Sequence, residues 1–411
     1  MHHGSVVNRQ APEPLSEQAL AALGSVGTGP FGLYLHVPFC ATRCGYCDFN
    51  TYTAGELGSS SSPQSWMEGV RRELDAAAGL LSPVRKVSTV FVGGGTPSLL
   101  GGDGLADLLG AVRDSFDLAP GAEVTTESNP ESTSPEFFAT LRGAGYTRIS
   151  LGMQSAAPHV LSVLDRTHTP GRALEAAREA ADAGFEHLNL DLIYGTPGET
   201  DADLAASIDA VLSVPVDHVS AYALIVEDGT AFARKVRRGE VPIPDDDVLA
   251  SRYEMLDERL RRAGLTWYEV SNWARAQADS GLPEPDSACR HNEMYWRSDD
   301  WWGIGPGAHS HVNGVRWWNQ KHPATYSASL ADGVPPVAGQ EILSAEDMHT
   351  EAVMLRLRMR EGLAADVLDE RERARADVAT VSGLLKRIDD AYVLTDRGRL
   401  LADGVVRDIL D

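Results

Sequence analysis

The sequence is poor in cysteine, has fewer basic than acidic residues, and contains no long apolar run. Only 4 of its 411 residues are cysteine, too few for a disulfide framework in a chain of this length. Lys and Arg number 36 against 59 Asp and Glu, a formal net charge of −23, and such a chain repels nucleic-acid phosphates. No stretch reaches the ~18 apolar residues that cross a bilayer, so we expect no transmembrane segment. The N-terminus lacks a basic segment followed by an apolar one, so we also expect no secretory signal.

The amino-acid composition is typical of a globular protein. The apolar fraction is 43% and the charged fraction 23%, which is ordinary for a folded chain and excludes disorder over most of its length. Three of the four cysteines fall within eight positions. Cysteines clustered in this way indicate a metal or redox site in a reducing compartment, so we expect a cytoplasmic protein.

From residue 31 onward, short β-rich segments alternate with longer segments whose apolar residues recur at helical spacing. The predicted strands are Phe31–Val37, Val87–Val92, Ala122–Glu127, Arg148–Met153, His187–Ile193 and His218–Leu224. The predicted helices between them are Trp66–Leu81, Leu105–Phe116, Pro135–Ala144, Arg172–Ala183 and Ala202–Leu212. Six strand–helix units in series predict an α/β fold with a parallel sheet and right-handed crossovers. The functional residues of such sheets gather at the carboxyl ends of the strands.

The chain divides into four predicted segments. They are a flexible leader over 1–30, rich in Ala, Gly, Pro and Ser; the six-unit core over 31–230; an extension over 231–345; and a small helical domain over 346–411. The extension contains a predicted helix within Pro242–Gly264, a possible strand Leu265–Val270, and a stretch rich in Trp and His from His291 to Trp318. The last segment, helical and charged through Val381–Ile388 with a short strand at Ala391–Leu394, is typical of a winged-helix-like domain.

The cysteine cluster has the spacing Cys-x3-Cys-x2-Cys, formed by Cys40, Cys44 and Cys47. Thiolates at this spacing can fold a loop around a cubane iron–sulfur cluster, binding three irons and leaving the fourth open. An open iron accepts a small chelating ligand and can therefore support chemistry. A zinc site, which in its structural form needs four ligands, and incidental buried cysteines are the alternatives.

Several separated motifs resemble the radical S-adenosylmethionine superfamily. They are Tyr34-Leu-His-Val-Pro-Phe-Cys40, the three-cysteine loop, and Phe91-Val-Gly-Gly-Gly-Thr-Pro-Ser98. More narrowly, the chain resembles, from about Phe31 to its C-terminus, the coproporphyrinogen dehydrogenase-like branch that contains the HemW-type haem chaperones. The resemblance implies a partial, TIM-like (β/α)6 barrel, a [4Fe-4S] cluster, and S-adenosylmethionine chelating the open iron. An electron from the reduced cluster, supplied by a reductant protein, would then cleave the cofactor to methionine and a 5′-deoxyadenosyl radical.

Other residues near the ends of the predicted strands favour a cofactor site. The glycine run from Gly93 to Gly95 follows an apolar strand, where missing side chains let the backbone approach a ligand, although a tight strand-exit turn would also explain it. Glu127 can accept hydrogen bonds from ribose hydroxyls. Singly, each such polar residue is explained by a helix cap, a surface ion pair or a buried polar group. Their shared placement favours a cofactor site that includes Glu127, Gln154, Arg166 and Asp191.

The resemblance assigns cofactor contacts to individual residues. Residues matching Tyr34, Gly94 and Glu127 contact one S-adenosylmethionine molecule, and the glycine run with Gly95 and Thr96 forms the surface next to its methionine amino group. Residues matching Tyr46, Gln154, Arg166 and Asp191 contact a second molecule in the related dehydrogenase. Whether this chain binds a second molecule is open.

Two positions separate the branches of the family. Members that oxidise porphyrinogen carry a fourth cysteine two positions beyond the third, where this chain has Phe49. The stretch His291-Asn-x-x-Tyr295-Trp296 resembles the signature of the chaperone branch, in which the histidine is a suspected haem contact. A neutral imidazole is a good axial iron ligand, and Tyr295 or Trp296 could pack on a flat macrocycle. Core packing is the alternative for each. Cys289, His309 and His311 are weaker haem candidates.

Three functional hypotheses follow. The first is a cytoplasmic haem chaperone that carries a [4Fe-4S] cluster and S-adenosylmethionine and delivers haem to haem proteins such as respiratory cytochromes. The second is a radical enzyme that decarboxylates coproporphyrinogen III or methylates another substrate. The third is a protein in which the cluster is purely structural. Phe49 and the motif at His291 favour the first, and whether the chain is an enzyme stays undecided.

Overall fold

The structure is a computed structural model that describes residues 13–25, 27, 29–81, 83–166, 169–278, 282–284 and 286–411. The first twelve residues of the expected leader, and Thr167 and His168 after Arg166, lie outside the described residues. The strands are β1 (Phe31–Val37), β2 (Phe39–Cys40), β3 (Tyr52–Thr53), β4 (Val87–Gly94), β5 (Leu118–Ser128), β6 (Arg148–Gln154), β7 (His187–Tyr194), β8 (His218–Ala223), β9 (Leu265–Glu269), β10 (Asn272–Arg275), β11 (Asp300–Ile304), β12 (His309–Val312), β13 (Val315–Asn319), β14 (Val337–Ile342), β15 (Leu363–Ala364), β16 (Leu385–Ile388) and β17 (Ala391–Leu394).

The helices surround these strands. They are α1 (Glu17–Leu23), α2 (Ala54–Leu57), α3 (Pro63–Leu80), α4 (Gly101–Ser115), α5 (Pro135–Ala144), α6 (Pro158–Val163), α7 (Arg172–Asp182), α8 (Asp201–Leu212), α9 (Ala231–Arg237), α10 (Asp246–Arg262), α11 (Arg290–Arg297), α12 (Pro323–Ala331), α13 (Ala345–Arg356), α14 (Glu370–Val381), α15 (Asp396–Leu400) and α16 (Ala402–Leu410). In the described part of the chain, no helix is both long and apolar enough to cross a membrane.

The core of the molecule is a parallel sheet with the strand order β1-β4-β5-β6-β7-β8. Every neighbouring pair in this series is parallel, and helices cover the outer face, so these strands are buried as parallel strands usually are. The helices bury apolar stripes against the strands; α4, for example, buries Leu105, Leu108 and Val112. The predicted partial (β/α)6 barrel is therefore confirmed, and the predicted strands match the observed ones to within a few residues.

The extension continues this sheet at both edges, which the sequence pattern did not indicate. β11 pairs in parallel with β1, and β12, β13 and β14 follow as antiparallel neighbours. At the other edge, β10 pairs antiparallel with β8 and then with β9. Edge strands expose unpaired backbone N–H and C=O groups, and the extension satisfies those of β1 and β8. Residues 231–345 are thus part of the same sheet as 31–230.

The described part of the expected leader is ordered against the barrel. Ser16 caps α1 by accepting a hydrogen bond from the Ala19 backbone N–H, which a serine at this position does well. Leu15, Ala19 and Leu23 are buried in the main hydrophobic core. Because these apolar side chains pack on the sheet, residues 13–25 differ from the flexible segment that their Ala- and Pro-rich composition indicated.

The C-terminal segment has its own small core. The three-stranded sheet β15-β17-β16 packs with α13, α14 and α16 around Leu363, Leu385 and Tyr392. This arrangement is winged-helix-like, as predicted, although Leu385–Ile388 forms a strand within a stretch that the sequence suggested to be helical. The Arg399 guanidinium holds the segment to the barrel side by an ion pair of 2.7 Å with Asp257 and by lying over the Trp267 ring at 4.7 Å.

Candidate functional site

A cavity of about 760 Å³ opens at the carboxyl ends of the six parallel barrel strands. It brings together all twelve residues that the sequence assigned to the cluster and to S-adenosylmethionine. These are Cys40, Cys44, Cys47, Tyr34, Tyr46, Gly94, Gly95, Thr96, Glu127, Gln154, Arg166 and Asp191. We call this space the inner cavity. Its position is the one at which parallel α/β sheets place their functional residues.

Cys40 ends β2 and Cys44 and Cys47 lie in the loop that follows it; all three are free and half-buried. Thr96 Oγ1 lies 3.8 Å from Cys40 Sγ, and Arg166 Nη1 donates to Cys44 Sγ over 3.3 Å. Burial raises the pKa of the Cys40 and Cys47 thiols. Among the described residues, no three His, Cys, Asp or Glu side chains converge closely enough to share one metal ion. A cubane cluster needs its thiolates further apart, since each binds a different iron.

Backbone hydrogen bonds join the glycine run to the segment that leads from β1 into the cysteine loop. Gly95 N–H donates to the Val37 carbonyl and Thr96 N–H to the Phe39 carbonyl, each over 2.8 Å. A Cβ on Gly95 would lie 2.5 Å from the Phe39 oxygen. Gly94 has φ +110°, which strains any other residue. The run therefore serves as a strand-exit turn and at the same time lines the cavity.

Two partly buried carboxyl groups, those of Glu127 and Asp191, line the cavity. Glu127 Oε2 accepts a hydrogen bond from the Gly94 backbone N–H over 3.0 Å, and Asp191 Oδ1 accepts one from Asn189 Nδ2 over 2.7 Å. Burial, reinforced by the neighbouring Asp191, raises the pKa of Glu127 to about 7. Burial also raises the pKa of Asp191 to about 6, against the opposing hydrogen bonds from Asn189 and its neighbours. Both groups can thus gain a proton near neutral pH, and both gain stability as anions from a cationic or hydrogen-bonding ligand.

Gln154 and Arg166 also line the cavity. Gln154 has φ +67°, a left-handed backbone conformation that is uncommon for a residue with a side chain and often marks functional sites. A bulge between Gly152 and Gln154 interrupts the pairing of β6 with β7 at this point. Arg166 Nη2 donates to the Gly152 carbonyl over 3.3 Å. The same guanidinium thus joins the cysteine loop, through Cys44, to the end of β6.

The side chains that line the cavity match the chemical groups of S-adenosylmethionine, the cofactor that the sequence implies. Thr125 Oγ1 and Ser128 Oγ line it as buried oxygens without hydrogen-bond partners in the described part of the chain, and buried polar atoms normally have partners. S-adenosylmethionine offers an ammonium, a carboxylate and two ribose hydroxyls. Carboxyls, a guanidinium and unpaired hydroxyls beside three free thiols match that set of groups together with an iron–sulfur cluster.

Sequence reasoning missed the polar floor of the cavity. Asn189 Nδ2 donates to Ser150 Oγ over 2.8 Å and to Ser220 Oγ over 3.0 Å. His218 lies between Asn189 Oδ1 at 2.7 Å and the Tyr268 hydroxyl at 2.9 Å. A signal was present, because these polar residues recur at every second position of neighbouring strands, as Arg148 and Ser150 do in β6 or His218 and Ser220 in β8. Alternation of this kind puts the polar side chains on one face, here the barrel interior.

The haem motif is only partly at the cavity. His291 and Tyr295 line it, whereas Trp296 is half-buried and lies outside the lining. His291 is fully buried, with Nδ1 2.7 Å from Thr89 Oγ1 and Nε2 2.9 Å from the Tyr295 hydroxyl. Burial lowers its pKa to about 4, so the imidazole is neutral near pH 7. Because both ring nitrogens have partners, an iron contact by His291 requires Tyr295 to move and stays a prediction.

The weaker haem candidates occupy different places. Cys289 is buried with Sγ 3.5 Å from Glu123 Oε1, and burial raises the pKa of its thiol. His311 is buried with Nδ1 3.1 Å from the Asp299 carbonyl oxygen. His309, two residues earlier, is exposed. Of these three side chains, only that of His309 is open to a large ligand.

Comparisons with known proteins place this site in a family. The family model described as the Radical SAM superfamily matches residues 34–211. The chain is 59% identical over 405 residues to a protein named heme chaperone HemW from Mycobacterium tuberculosis (strain ATCC 25618 / H37Rv), covering 98% of this chain and 100% of that one. It is 32% identical over 394 residues to heme chaperone HemW from Escherichia coli (strain K12), covering 92% of this chain and 97% of the relative.

The fold has a solved counterpart. The structure of coproporphyrinogen III oxidase (HemN) from Escherichia coli superposes with a TM-score of 0.81, at 22% identity, over 97% of this chain and 94% of that one. At this identity the likeness concerns the fold alone. Fold and site together define a radical S-adenosylmethionine protein. Through its full-length relatives, the chain belongs to the HemW-type family of that superfamily.

Proposed function

We propose that the chain is a haem chaperone that carries a [4Fe-4S] cluster and S-adenosylmethionine and passes haem to recipient haem proteins in the cytoplasm. The observation that carries the proposal is the similarity to proteins named heme chaperone HemW, which extends over 98% of this chain in the Mycobacterium tuberculosis relative. It includes the extension and the C-terminal domain as well as the barrel. Recipients such as respiratory cytochromes and a protein reductant remain part of the proposal.

In this proposal the inner cavity holds the cofactors. Cys40, Cys44 and Cys47 would hold three irons of the cluster, and Arg166 would offset the negative charge of the thiolates because its guanidinium lies 3.3 Å from Cys44 Sγ. When bound, the cluster and S-adenosylmethionine supply one-electron chemistry that can generate a carbon radical. The protein's contribution is to bind and orient: Glu127 and Asp191 accept hydrogen bonds, and the glycine run allows close approach.

Phe49 argues against porphyrinogen oxidation. Its side chain is 60% exposed at the rim of the inner cavity, at the position where oxidising relatives carry a fourth cysteine. A phenyl ring cannot replace a thiolate as a ligand, a nucleophile or a hydrogen-bond acceptor. Haem handling without porphyrinogen oxidation is therefore the function that this position favours.

The test compares cargo transfer with catalysis in the same preparation. Anaerobically reconstituted wild-type protein, loaded with haem, should transfer it to an apo-haem protein, measured as the rise of the recipient's Soret absorbance. The same protein with S-adenosylmethionine and a reductant should release no carbon dioxide from coproporphyrinogen III. Phe49→Cys is the matched control, because it adds the missing thiol without altering the barrel. Release of carbon dioxide by the wild type would contradict the chaperone function.

A further inference from the structure

A second opening lies beside the inner cavity, between the cysteine loop and the β11–β12 part of the extension. It has a volume of about 540 Å³, within the ~300–1,000 Å³ of typical ligand pockets. Phe49, Tyr295 and Trp301 provide aromatic walls, and Tyr34, Phe49 and Tyr295 also line the inner cavity. We call this opening the outer groove. Of the residues that the sequence suggested for haem, Tyr295 and the weaker candidate His309 line it.

The outer groove is a rigid feature of the fold. Asn50, just after the cysteine loop, donates from Nδ2 to the Pro306 carbonyl over 3.0 Å and to the Lys321 carbonyl over 2.8 Å. A Cβ on Gly307, whose φ is +75°, would lie 2.6 Å from Asn50 Nδ2. The loop between β11 and β12 therefore fits closely against the cysteine loop. These contacts join the two segments that border the groove.

His309 presents one ring nitrogen to this groove. Its Nδ1 lies 3.1 Å from the Gly307 carbonyl oxygen, so Nδ1 carries the hydrogen and Nε2 keeps its lone pair. The ring stacks on Trp318 at a centroid distance of 5.9 Å and an angle of 26°, which fixes its orientation. Nε2 has no hydrogen-bond partner among the described residues. An imidazole whose Nδ1–H is bound to a backbone carbonyl is the arrangement that metal-binding histidines adopt.

The groove also carries positive charge on a chain whose net charge is −23. Arg43 and Lys321 line it, together with one carboxylate, Asp48. Arg43 is about half exposed; it lies 3.8 Å from Glu56 and donates to the Phe49 carbonyl oxygen over 3.4 Å, and exposed contacts of this kind contribute little. Lys321 is exposed and makes no described ion pair. Two cations beside flat aromatic walls suit a planar ligand that carries carboxylates at its edge.

We propose that the outer groove binds the iron porphyrin, with His309 Nε2 as the axial ligand, the rings of Phe49 and Trp301 against the macrocycle, and Arg43 and Lys321 near its propionates. The inference rests on the proposed haem-binding function and names the site of that binding. It assigns a role to Phe49, whose side chain is 60% exposed. It also differs from a site at His291, whose two nitrogens are already engaged.

Haem titration of the full-length protein tests the assignment. Ferric haem is added to wild type, His309→Ala and His311→Ala, and the Soret band is recorded. His309→Ala should shift the band and weaken binding by about tenfold or more, because an axial ligand is lost. His311→Ala is the matched control, since that imidazole is buried two residues away, and it should leave the band unchanged. In His309→Gly, added imidazole should restore the wild-type spectrum.

A charge variant provides an independent readout. Lys321→Glu should weaken haem binding severalfold at low salt and less at high salt, because screening reduces the repulsion of a propionate. Haem dimethyl ester, which lacks the propionate charges, should bind wild type and Lys321→Glu equally.

The outcomes separate the two proposals. If the wild type takes up no haem saturably, both the chaperone function and this site are wrong. If it binds haem but His309→Ala keeps the wild-type Soret band and affinity, only the groove assignment is overturned. A spectrum altered in His291→Ala and unchanged in His309→Ala, with both variants folded by circular dichroism, would place the ligand at His291 instead.

Discussion

The inner cavity and the outer groove share a wall but are built in opposite ways. The inner cavity is formed by the ends of parallel barrel strands and is lined by partly buried ionisable groups such as Glu127 and Asp191, whose pKa values are raised. The outer groove lies between the cysteine loop and the β11–β12 part of the extension, and exposed groups such as Phe49 and His309 line it. Buried charges suit a small polar cofactor that must be oriented, and exposed rings suit a large flat cargo that must leave again.

The largest expected effect is the loss of the iron–sulfur cluster from the inner cavity while haem binding in the outer groove is retained. Replacing Cys40, Cys44 or Cys47 by Ala should abolish the roughly four irons and four sulfides of the cubane after anaerobic reconstitution, since each removes one of only three protein ligands. Haem binding in the outer groove should persist. Iron and sulfide analysis checks the first expectation and the Soret band the second. Cys289→Ala is the control: its thiol is buried against Glu123, and cluster content should not change.

Substitution of Glu127 or Asp191 should weaken the binding of S-adenosylmethionine and leave the binding of haem unchanged. Glu127→Ala and Asp191→Ala should each weaken S-adenosylmethionine binding by roughly 1–3 kcal/mol, the usual cost of losing a hydrogen bond to a buried partner. Equilibrium dialysis measures the affinity, and cluster content serves as a check on folding. Glu127→Gln and Asp191→Asn keep the shape of the side chain and should have smaller effects. Unaltered affinity in both alanine variants would contradict the cofactor assignment.

The same carboxyls should make the stability of the cofactor-free protein depend on pH. Their folded-state pKa values, about 7 for Glu127 and about 6 for Asp191, lie above the ordinary range. Their contribution to the free energy of unfolding is thus fully present below about pH 4 and is lost as pH rises through 6 and 7. Wild type should lose on the order of a few kcal/mol between about pH 4 and pH 7 relative to the double variant Glu127→Gln, Asp191→Asn, since each pH unit over which one group differs in protonation contributes about 1.4 kcal/mol. The same dependence of the free energy of unfolding on pH in both proteins, measured by thermal melting at each pH, would contradict the raised pKa values.

The smallest expected effect concerns the hairpin that supports the outer groove. Asn313 and Gly314 connect β12 and β13 with φ of +51° and +76°. Gly314→Ala should cost about 1 kcal/mol, because a side chain strains this backbone conformation. Chemical denaturation measures the loss, and S-adenosylmethionine affinity should stay at the wild-type value. Substitutions within the strands, such as Ser310→Ala, would also change strand contacts. Gly314→Ala changes the turn alone.

The barrel and its cofactor residues could be predicted because their sequence signals are local. Each parallel strand is a short apolar run followed by a helix, and the cofactor residues from Cys40 to Asp191 stand in the later halves of strands or after them. Pairing of β11 with β1 could not be predicted in this way, since about 260 residues separate the partners and no local pattern specifies such pairings. The hairpin at Asn313-Gly314 did carry a signal, because Asn-Gly between two strand-like runs is typical of a tight turn.

The haem residues were harder for a physical reason. His291 stands in a motif, but its burial and its contacts with Thr89 and Tyr295 depend on packing between α11 and β4, which the motif does not reveal. His309 stands among glycines and gave only a weak signal. Its accessibility arises from the fit of the β11–β12 loop against Asn50. Motif spacing therefore identifies the cofactor residues on neighbouring strands well. It does not show which side chain is accessible to a large ligand such as haem.

The central claim is that three thiolates hold a cluster whose fourth iron faces the cofactor residues of the inner cavity. Electron paramagnetic resonance of the anaerobically reduced protein, before and after addition of S-adenosylmethionine, tests it most directly. We predict the signal of one reduced [4Fe-4S] cluster that changes on addition of the cofactor, with Asp191→Ala requiring a higher concentration for the same change. A spectrum unchanged at saturating S-adenosylmethionine, or a full cluster signal in Cys44→Ala, would contradict the claim.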